Sequence, residues 1–487
     1  MQSDKVLFYR LELLNENLKV LDYIEGNLIN DNISIDSSSS IRRTYTCTLL
    51  VENSTFILGK DSKIFFDKLI RPYIGIFHLK SQEVQWYCLG TFIYTDLNYS
   101  YDITNRTLQI TCVDMMSLLD DKRRGQLSDY RRTILAKTDA REIIISLLEE
   151  AGIHKYFIEF NLNGISLSTF PIHYDIKFEA GSTVYKIISE IVNLYAGTQM
   201  YFSLDGTFII SRISTSKNEI NILTDDILQP ILIREQITTS LSNVYNHIKI
   251  YGKINEPNYY SKDVISQDNV YYSTIVTTKL NEDDNSYTDI YYDGYNDFDI
   301  FALRIPETNK ENQQININNL GNIPIHNDKD EPLSTNYLDV NTDCIFRYRQ
   351  DQNDFIYIGQ YQCIGEAYLT NNISDTGEFA VIDEKSEFAI EIIGERLKVL
   401  SGSDYDSIYT NSLCNQRARL ELYNASNLQD SLSLSIVAIP WLDVNMKVEF
   451  TSNLTGKIGE YLVANISCDY SSYQMTIQLS RYYPDYI

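Results

Sequence analysis

Long apolar runs are missing from this sequence of 487 residues. No uninterrupted stretch approaches the ~18 residues needed to cross a bilayer, and Met1-Gln2-Ser3-Asp4-Lys5 opens no basic-then-apolar leader. The expectation is a protein made soluble in a cytoplasm, with no membrane span. Histidine is scarce, at 5 residues. His78, His154, His173, His247 and His326 are scattered, and none forms the HxxxH or HExxH spacing that places two imidazoles on one helix face over a metal. The phosphate-cradling GxxxxGK[ST] loop, the GxGxxG turn and the GxSxG nucleophile elbow are absent too. The 7 cysteines are odd in number and include no CxxC pair. Several sit between β-type neighbours, as in Tyr45-Thr46-Cys47-Thr48-Leu49, where small buried reduced thiols belong. Net positive charge is lacking as well. At −25 the chain gains no counterion release from phosphate and is repelled by nucleic acid and anionic lipid at long range. The same repulsion would suit the wall of a channel through which DNA slides without sticking.

What the sequence has is tyrosine, 38 residues against 2 tryptophans, within 44% hydrophobic and 12% aromatic residues. That excludes global disorder despite the charge. The Tyr-rich segments also carry Ile, Val and Thr, the mixture of a half-buried pleated surface. A single core stops growing at ~250–300 residues, so this length predicts two to four folded units.

Short alternating strands fill residues 1–128, read as a first β barrel: Phe8 to Leu14, Thr44 to Val51, Tyr73 to Leu79, Gln85 to Tyr94 and Thr107 to Val113. Residues 129–215 change period. Ala140, Ile143, Ile144, Leu147, Leu148 and Ala151 share one helical face, with Thr138 or Asp139 as N-cap and Gly152 as stop. Val184, Ile187, Ile188, Ile191, Val192 and Tyr195 repeat that pattern after Ser182 or Thr183. Asp205-Gly206 then joins two strands as a hairpin, completing a small α+β domain. Residues 216–255 with 412–487 read as a second β barrel, which includes a helix through Leu413, Arg417, Leu420 and Glu421. Residues 256–411, rich in Tyr, Asn and Asp, read as an inserted β domain. The predicted fold class is mainly β with a small α+β domain, two β barrels or sandwiches and an insertion.

Catalytic signals are thin. With 66 acidic residues, chance carboxylate pairs abound and none can be singled out, so the expectation is no enzymatic activity, no cofactor and no metal. Asp283-Asp284-Asn285-Ser286-Tyr287-Thr288-Asp289 offers oxygen ligands but lacks the alternating order and terminal Glu of a calcium loop, and a solvated loop is the expected reading. One reversal of charge stands out: Lys122, Arg123 and Arg124, followed by Arg131, Arg132 and Lys137. It would either dock an acidic neighbour or the acidic face of another copy, or serve as a solvated linker.

The order of parts resembles a family. Ile41-Arg42-Arg43-Thr44-Tyr45-Thr46-Cys47, Arg71-Pro72-Tyr73-Ile74-Gly75, Gly90-Thr91-Phe92 and Cys112-Val113-Asp114-Met115-Met116-Ser117-Leu118-Leu119-Asp120 are similar to the first domain of phage tail hub and baseplate hub proteins. Phe388 to Gly394, Cys414 to Leu422 and Ile439-Pro440-Trp441-Leu442-Asp443-Val444-Asn445 resemble the closing domain, as in DUF5048-type tail proteins. The resemblance implies two tail-tube-like barrels side by side in each subunit. It further implies a homotrimeric, pseudo-sixfold ring that adapts a sixfold tube to a threefold spike in the virion tail. The implied partners are further copies of the chain, a tail tube or distal tail protein, a spike or tip protein and a tape measure protein, with DNA passing through the lumen. The long Tyr-rich insertion and the lack of an appended lysozyme or peptidase domain depart from the pattern. A receptor- or carbohydrate-binding tail protein and a tail-associated cell-wall hydrolase are the competing readings.

Overall fold

The computed structural model describes residues 7–482 except 26–27, 52–58, 60–61, 79–80, 102–105, 128–130, 136–137, 160, 163–164, 167–171, 173–175, 214–220, 239–241, 255–256, 281–286, 328–329, 361, 403 and 427–430. The chain is mainly β, as its alternation predicts. It divides into two units, Met1–Asn243 with Asn427–Asp485, and Val244–Ser426.

The first unit is built on one 13-stranded sheet. Its strands are β1 (Leu7–Asn15), β2 (Val20–Glu25), β3 (Leu28–Asp36), β4 (Arg43–Leu50), β5 (Lys68–His78), β6 (Glu83–Cys88), β7 (Phe92–Tyr101) and β8 (Arg106–Asp114), followed by β9 (Leu232–Thr238), β10 (Ser431–Val437), β11 (Lys447–Thr451), β12 (Ile458–Asp469) and β13 (Gln474–Arg481). The order across the sheet is β9-β10-β13-β12-β3-β4-β8-β7-β5-β1-β2, with β11 on β12 and β6 on β5. Strands from both ends of the chain therefore share one sheet. They join through a single antiparallel seam, in which Ile33, Ser34, Ile35 and Asp36 of β3 face Cys468, Ser467, Ile466 and Asn465 of β12. Period-two alternation turns Tyr45, Cys47 and Leu49 of β4 and Leu108, Ile110 and Cys112 of β8 inward. They merge with Leu434, Phe450, Val463, Ile466 and Ile477 into one hydrophobic cluster. Burying each such side chain stabilises the fold by roughly 1.5–3 kcal/mol.

The α+β part is α1 (Ala140–Glu150), α2 (Val184–Val192) and a hairpin of Thr198–Phe202 with Phe208–Arg212. Asp139, of the two candidate caps, starts α1: its Oδ1 accepts from Arg141 N at 2.8 Å and Glu142 N at 3.1 Å. Gly152, at φ +77°, follows the last turn. Thr183 starts α2 by accepting from Lys186 N at 3.1 Å.

In the second unit an eight-stranded sheet runs from Tyr259–Ser261 at one edge to Val264–Gln267 at the other. Much of the insertion's aromatic content is spent inside it. Tyr259, Tyr292, Tyr295, Tyr348, Phe301 and Phe355 form one packed group, with Tyr259 stacked on Phe301 at 5.1 Å and Tyr295 on Tyr348 at 5.0 Å. His247–Ile254 and the helix Asn411–Ala425, expected with the closing barrel, belong to this unit instead. His247–Ile254 pairs with Gln362–Thr370 and Leu397–Leu400. The helix lies so close on Gln362–Thr370 that a Cβ at Gly365 would sit 2.1 Å from the Cys414 carbonyl carbon. The shared sheet therefore takes less of the chain than the period alone suggests, because strand pairing of 247–254 and the close approach of the helix, whose Asn411 and Asn415 accept from Ile364 N and Glu366 N, tie these two segments to 362–370, and periodicity reports neither.

All seven cysteines are free thiols; Cys88 is half-buried and the other six are buried. Among the described residues no helix is long and apolar enough to cross a membrane.

Candidate functional site

Arg43 opens β4 in the same inward phase as Tyr45 and Cys47, so its side chain enters the interior and is 1% exposed. A guanidinium there is tolerated only with partners on its fork. Nη1 donates to the Phe202 carbonyl at 2.7 Å, and Nη2 forms a close ion pair with Asp443. The Arg43 backbone N donates to Asp114 Oδ2 at 2.9 Å, while Asp114 Oδ1 accepts from Met116 N at 2.9 Å and caps the 3-10 turn Met115–Leu118. Burial raises the Asp114 carboxyl, opposed by these two backbone donors and by the charges of Arg43 and Arg42. Arg42 stacks over the Tyr201 ring at 4.1 Å and donates through Nη2 to Gln199 Oε1 at 2.8 Å, an oxygen that also accepts from Asn445 Nδ2 at 2.7 Å. Burial, and then the neighbouring Arg43 charge, bring the Arg42 guanidinium down to about 10.

The same hairpin is held from a second side. Arg71 Nε donates to Thr91 Oγ1 at 3.0 Å, Thr91 Oγ1 donates to the Leu204 carbonyl at 2.9 Å, and Arg71 Nη2 donates to the Asp205 carbonyl at 3.0 Å. Gly90, at φ +144°, leaves the space that the Phe92 ring fills: a Cβ there would lie 2.9 Å from that ring. The segments 41–47, 71–75, 90–92, 112–120 and 439–445, dispersed in sequence, thus meet around residues 199–205. Chemically this is a lock, in which charges and carbonyls pair with one another, with only the Arg42 and Arg43 Nε atoms buried without a partner, and hold both parts of the shared sheet to the α+β part. Asp443 and Gln199 carry no sequence signal for this role, whereas Arg43 has one, a cation in the apolar phase of a strand.

A comparable tie lies in the second unit. Asn246 is fully buried, donates from Nδ2 to the Phe388 and Gly394 carbonyls at 3.0 and 2.9 Å, and accepts from Arg396 N at 2.7 Å, fixing the block 388–394. Beside it, His247 Nδ1 lies 2.5 Å from Glu395 Oε1 and Nε2 lies 2.7 Å from Glu366 Oε1. His326 Nδ1 lies 2.5 Å from Asp354 Oδ2, and Arg349 pairs with Asp354 and Asp330. His78 is exposed, with Nε2 3.0 Å from Gln85 Oε1. His173 lies outside the described residues.

The basic run meets several partners, and Arg123 and Arg124 line one small pocket together with Phe66 and Glu16. Arg123 stacks over Phe66 at 4.2 Å and donates to its carbonyl, and Lys122 lies 3.8 Å from Asp120. Arg132 forks onto Glu150 at 2.6 and 3.0 Å. The Arg131 backbone pairs with Glu179, and its side chain, like Lys137 as a whole, lies outside the described residues. Arg124, 4.0 Å from Glu16, instead borders a cleft of about 350 Å³ together with Arg71, His154 and Lys155. Asp283 to Ser286 of the acidic stretch also lie outside the described residues, among which no three His, Cys, Asp or Glu side chains are grouped to hold a metal.

No curated protein matches the chain. Among solved structures it is similar to the 43 kDa tail protein of prophage MuSo2 from Shewanella oneidensis, at 12% identity and TM-score 0.49 over 97% of this chain and 98% of that one. It is also similar to a tail protein from Neisseria meningitidis MC58, at 9% identity and TM-score 0.49 over 97% and 96%. A third is the prophage tail protein gp18 from Listeria monocytogenes EGD-e, at 9% identity and TM-score 0.44 over 97% and 94%. Residues 385–486 match the family described as a domain of unknown function, DUF5048, in the part of the chain that holds the block 388–394, the helix Asn411–Ala425 and the loop 439–445.

Proposed function

We propose that this chain is a structural hub subunit of a phage-type tail, acting through assembly rather than catalysis. The observation that carries the proposal is the single sheet built from both ends of the chain. It brings two strand-rich segments side by side in one subunit, and among the described residues its strand order ends at two different edges, β2 and β9, with β6 and β11 flanking off that path. Both edges carry exposed apolar side chains, Leu21 and Tyr23 on one and Ile233 on the other. A free edge of this kind is a template for a neighbouring chain. Two different edges on one subunit produce a head-to-tail contact, which makes a ring when the rotation closes. Three copies with two such segments each would make a pseudo-sixfold ring, suited to joining a tail tube or distal tail protein to a spike or tip. A tape measure protein and passing DNA would lie on its axis, and the site of action would be the virion tail. Each contact should bury at least the ~1,600 Å² of a standard interface. Native mass spectrometry with negative-stain class averages tests this: threefold rings are the expected result, and a monomer at assembly concentrations or an open fibre would refute it.

A further inference from the structure

We propose that the cleft beside Arg124 receives an acidic, apolar-tipped segment of a second copy of this chain. This rests on the assembly reading above and names a surface through which the copies would engage. The cleft lies where the β1–β2 turn, the end of α1 and the tip of the 198–212 hairpin come together. Its apolar lining comes from the buried Met115, Leu118 and Ile153 and the half-buried Leu18. Its rim is cationic. Arg71, Arg124 and Lys155 line it, with His154 beside them, against the carboxylates of Glu16 and Asp205.

Two features keep that rim available. Arg124 and Glu16 are 4.0 Å apart with side chains 41% and 63% exposed, and Lys155 with Asp205 is an exposed pair; such ties are worth ~0–1 kcal/mol and give way to a better-placed carboxylate. Gly152 has no side chain where one would come within 3.3 Å of Arg124 Nη2, so the guanidinium rests close to the end of α1, a helix terminus that favours a cation.

A neighbouring copy is the occupant whose charge fits. At net −25 the chain presents mostly acidic surface to any identical neighbour, and this lining, three cations against two carboxylates, is a local reversal of that sign. The apolar wall selects a polypeptide over a nucleic acid, because it matches an aliphatic or aromatic side chain and offers nothing to a phosphate-ribose repeat. A volume of about 350 Å³ accepts one or two side chains.

Sedimentation velocity on the full-length chain, as wild type, R124E/K155E, H154E and R124K at low and high salt, tests the proposal, with circular dichroism melts to confirm folding. Reversal at R124E/K155E should raise the concentration needed for assembly about tenfold or more, H154E should act in the same direction, and R124K should stay near wild type. Reversed variants that fold and assemble like wild type would refute the docking site while leaving the ring intact. A wild type that is monomeric throughout would remove the assembly reading itself. Unchanged assembly with lost affinity for a labelled oligothymidylate would refute the proposal in favour of nucleic-acid binding.

Discussion

Replacing Asp31 by asparagine should stabilise the sheet seam at neutral pH and leave it nearly unchanged in acid. Asp31 sits on β3 in the inward phase of Ile33 and Ile35 and is 3% exposed. Its Oδ2 accepts from the Tyr45 hydroxyl at 3.4 Å, and its Oδ1 has no partner. Burial, and then the Asp469 carboxylate across the seam, push the Asp31 carboxyl from its ordinary 3.8 up to about 7. The surrounding Tyr9, Tyr45, Cys47, Cys468 and Tyr470 are all raised too, chiefly by burial, so they stay neutral near neutrality and add no charge to the site. A carboxyl raised in the folded state contributes fully below the unfolded value and loses that contribution as pH climbs through the folded one, so the window runs from about pH 4 to about pH 7. The displacement corresponds to at most roughly 4 kcal/mol across that window, or about a thousandfold in a local opening equilibrium. Hydrogen exchange at Ser34, Ile35, Ile466 and Ser467, in wild type and D31N across this range, reads the seam directly. Wild-type protection should fall with pH relative to D31N. A constant difference between the two proteins, or a wild type that gains protection as pH rises, would refute the reasoning.

Substituting Arg43 by methionine leaves Asp443 and the Phe202 carbonyl without their buried partner, and should cost about 3–5 kcal/mol in chemical denaturation of the unit containing the shared sheet; a loss below about 1 kcal/mol would show that the junction does not carry this unit. Gly365→Ala places a Cβ against the Cys414 backbone and should lower the stability of Val244–Ser426 by about 1–3 kcal/mol or more, read as faster proteolysis of that unit, whereas unchanged cleavage would mean that the helix has room to move away. Cys88, half-buried, should be the first native thiol to react with a disulfide reagent. Burial pushes Cys47, Cys112, Cys344, Cys414 and Cys468 up, to about 11 in the case of Cys344, so these should react only on unfolding; prompt native labelling of several thiols would contradict the packing.

Local pattern carried much of this molecule. The alternation through Tyr45, Cys47 and Leu49 set a strand and its inward face, the three-four spacing before Gly152 set α1 and its end, and Asp205-Gly206 marked the hairpin that the rest of the first unit grips. Each depends on neighbours within a few residues, where backbone geometry and side-chain period act directly. Tertiary structure decided the pairings. Nothing in β3 announces β12 as its neighbour, because alternation says which face is buried and is silent about the strand alongside. Arg43 and Asp443 meet across 400 positions of sequence. Charge proximity in the sequence names no partners for the same reason: the loop path takes Arg123 to Phe66 and Arg124 to Glu16 and the cleft, and the strand takes Arg132 to Glu150. His247–Ile254 and the helix Asn411–Ala425 likewise went with the strand 362–370 rather than with the closing barrel, since edge hydrogen bonds and close backbone approach at Gly365 place a segment, and a hydrophobic period records neither.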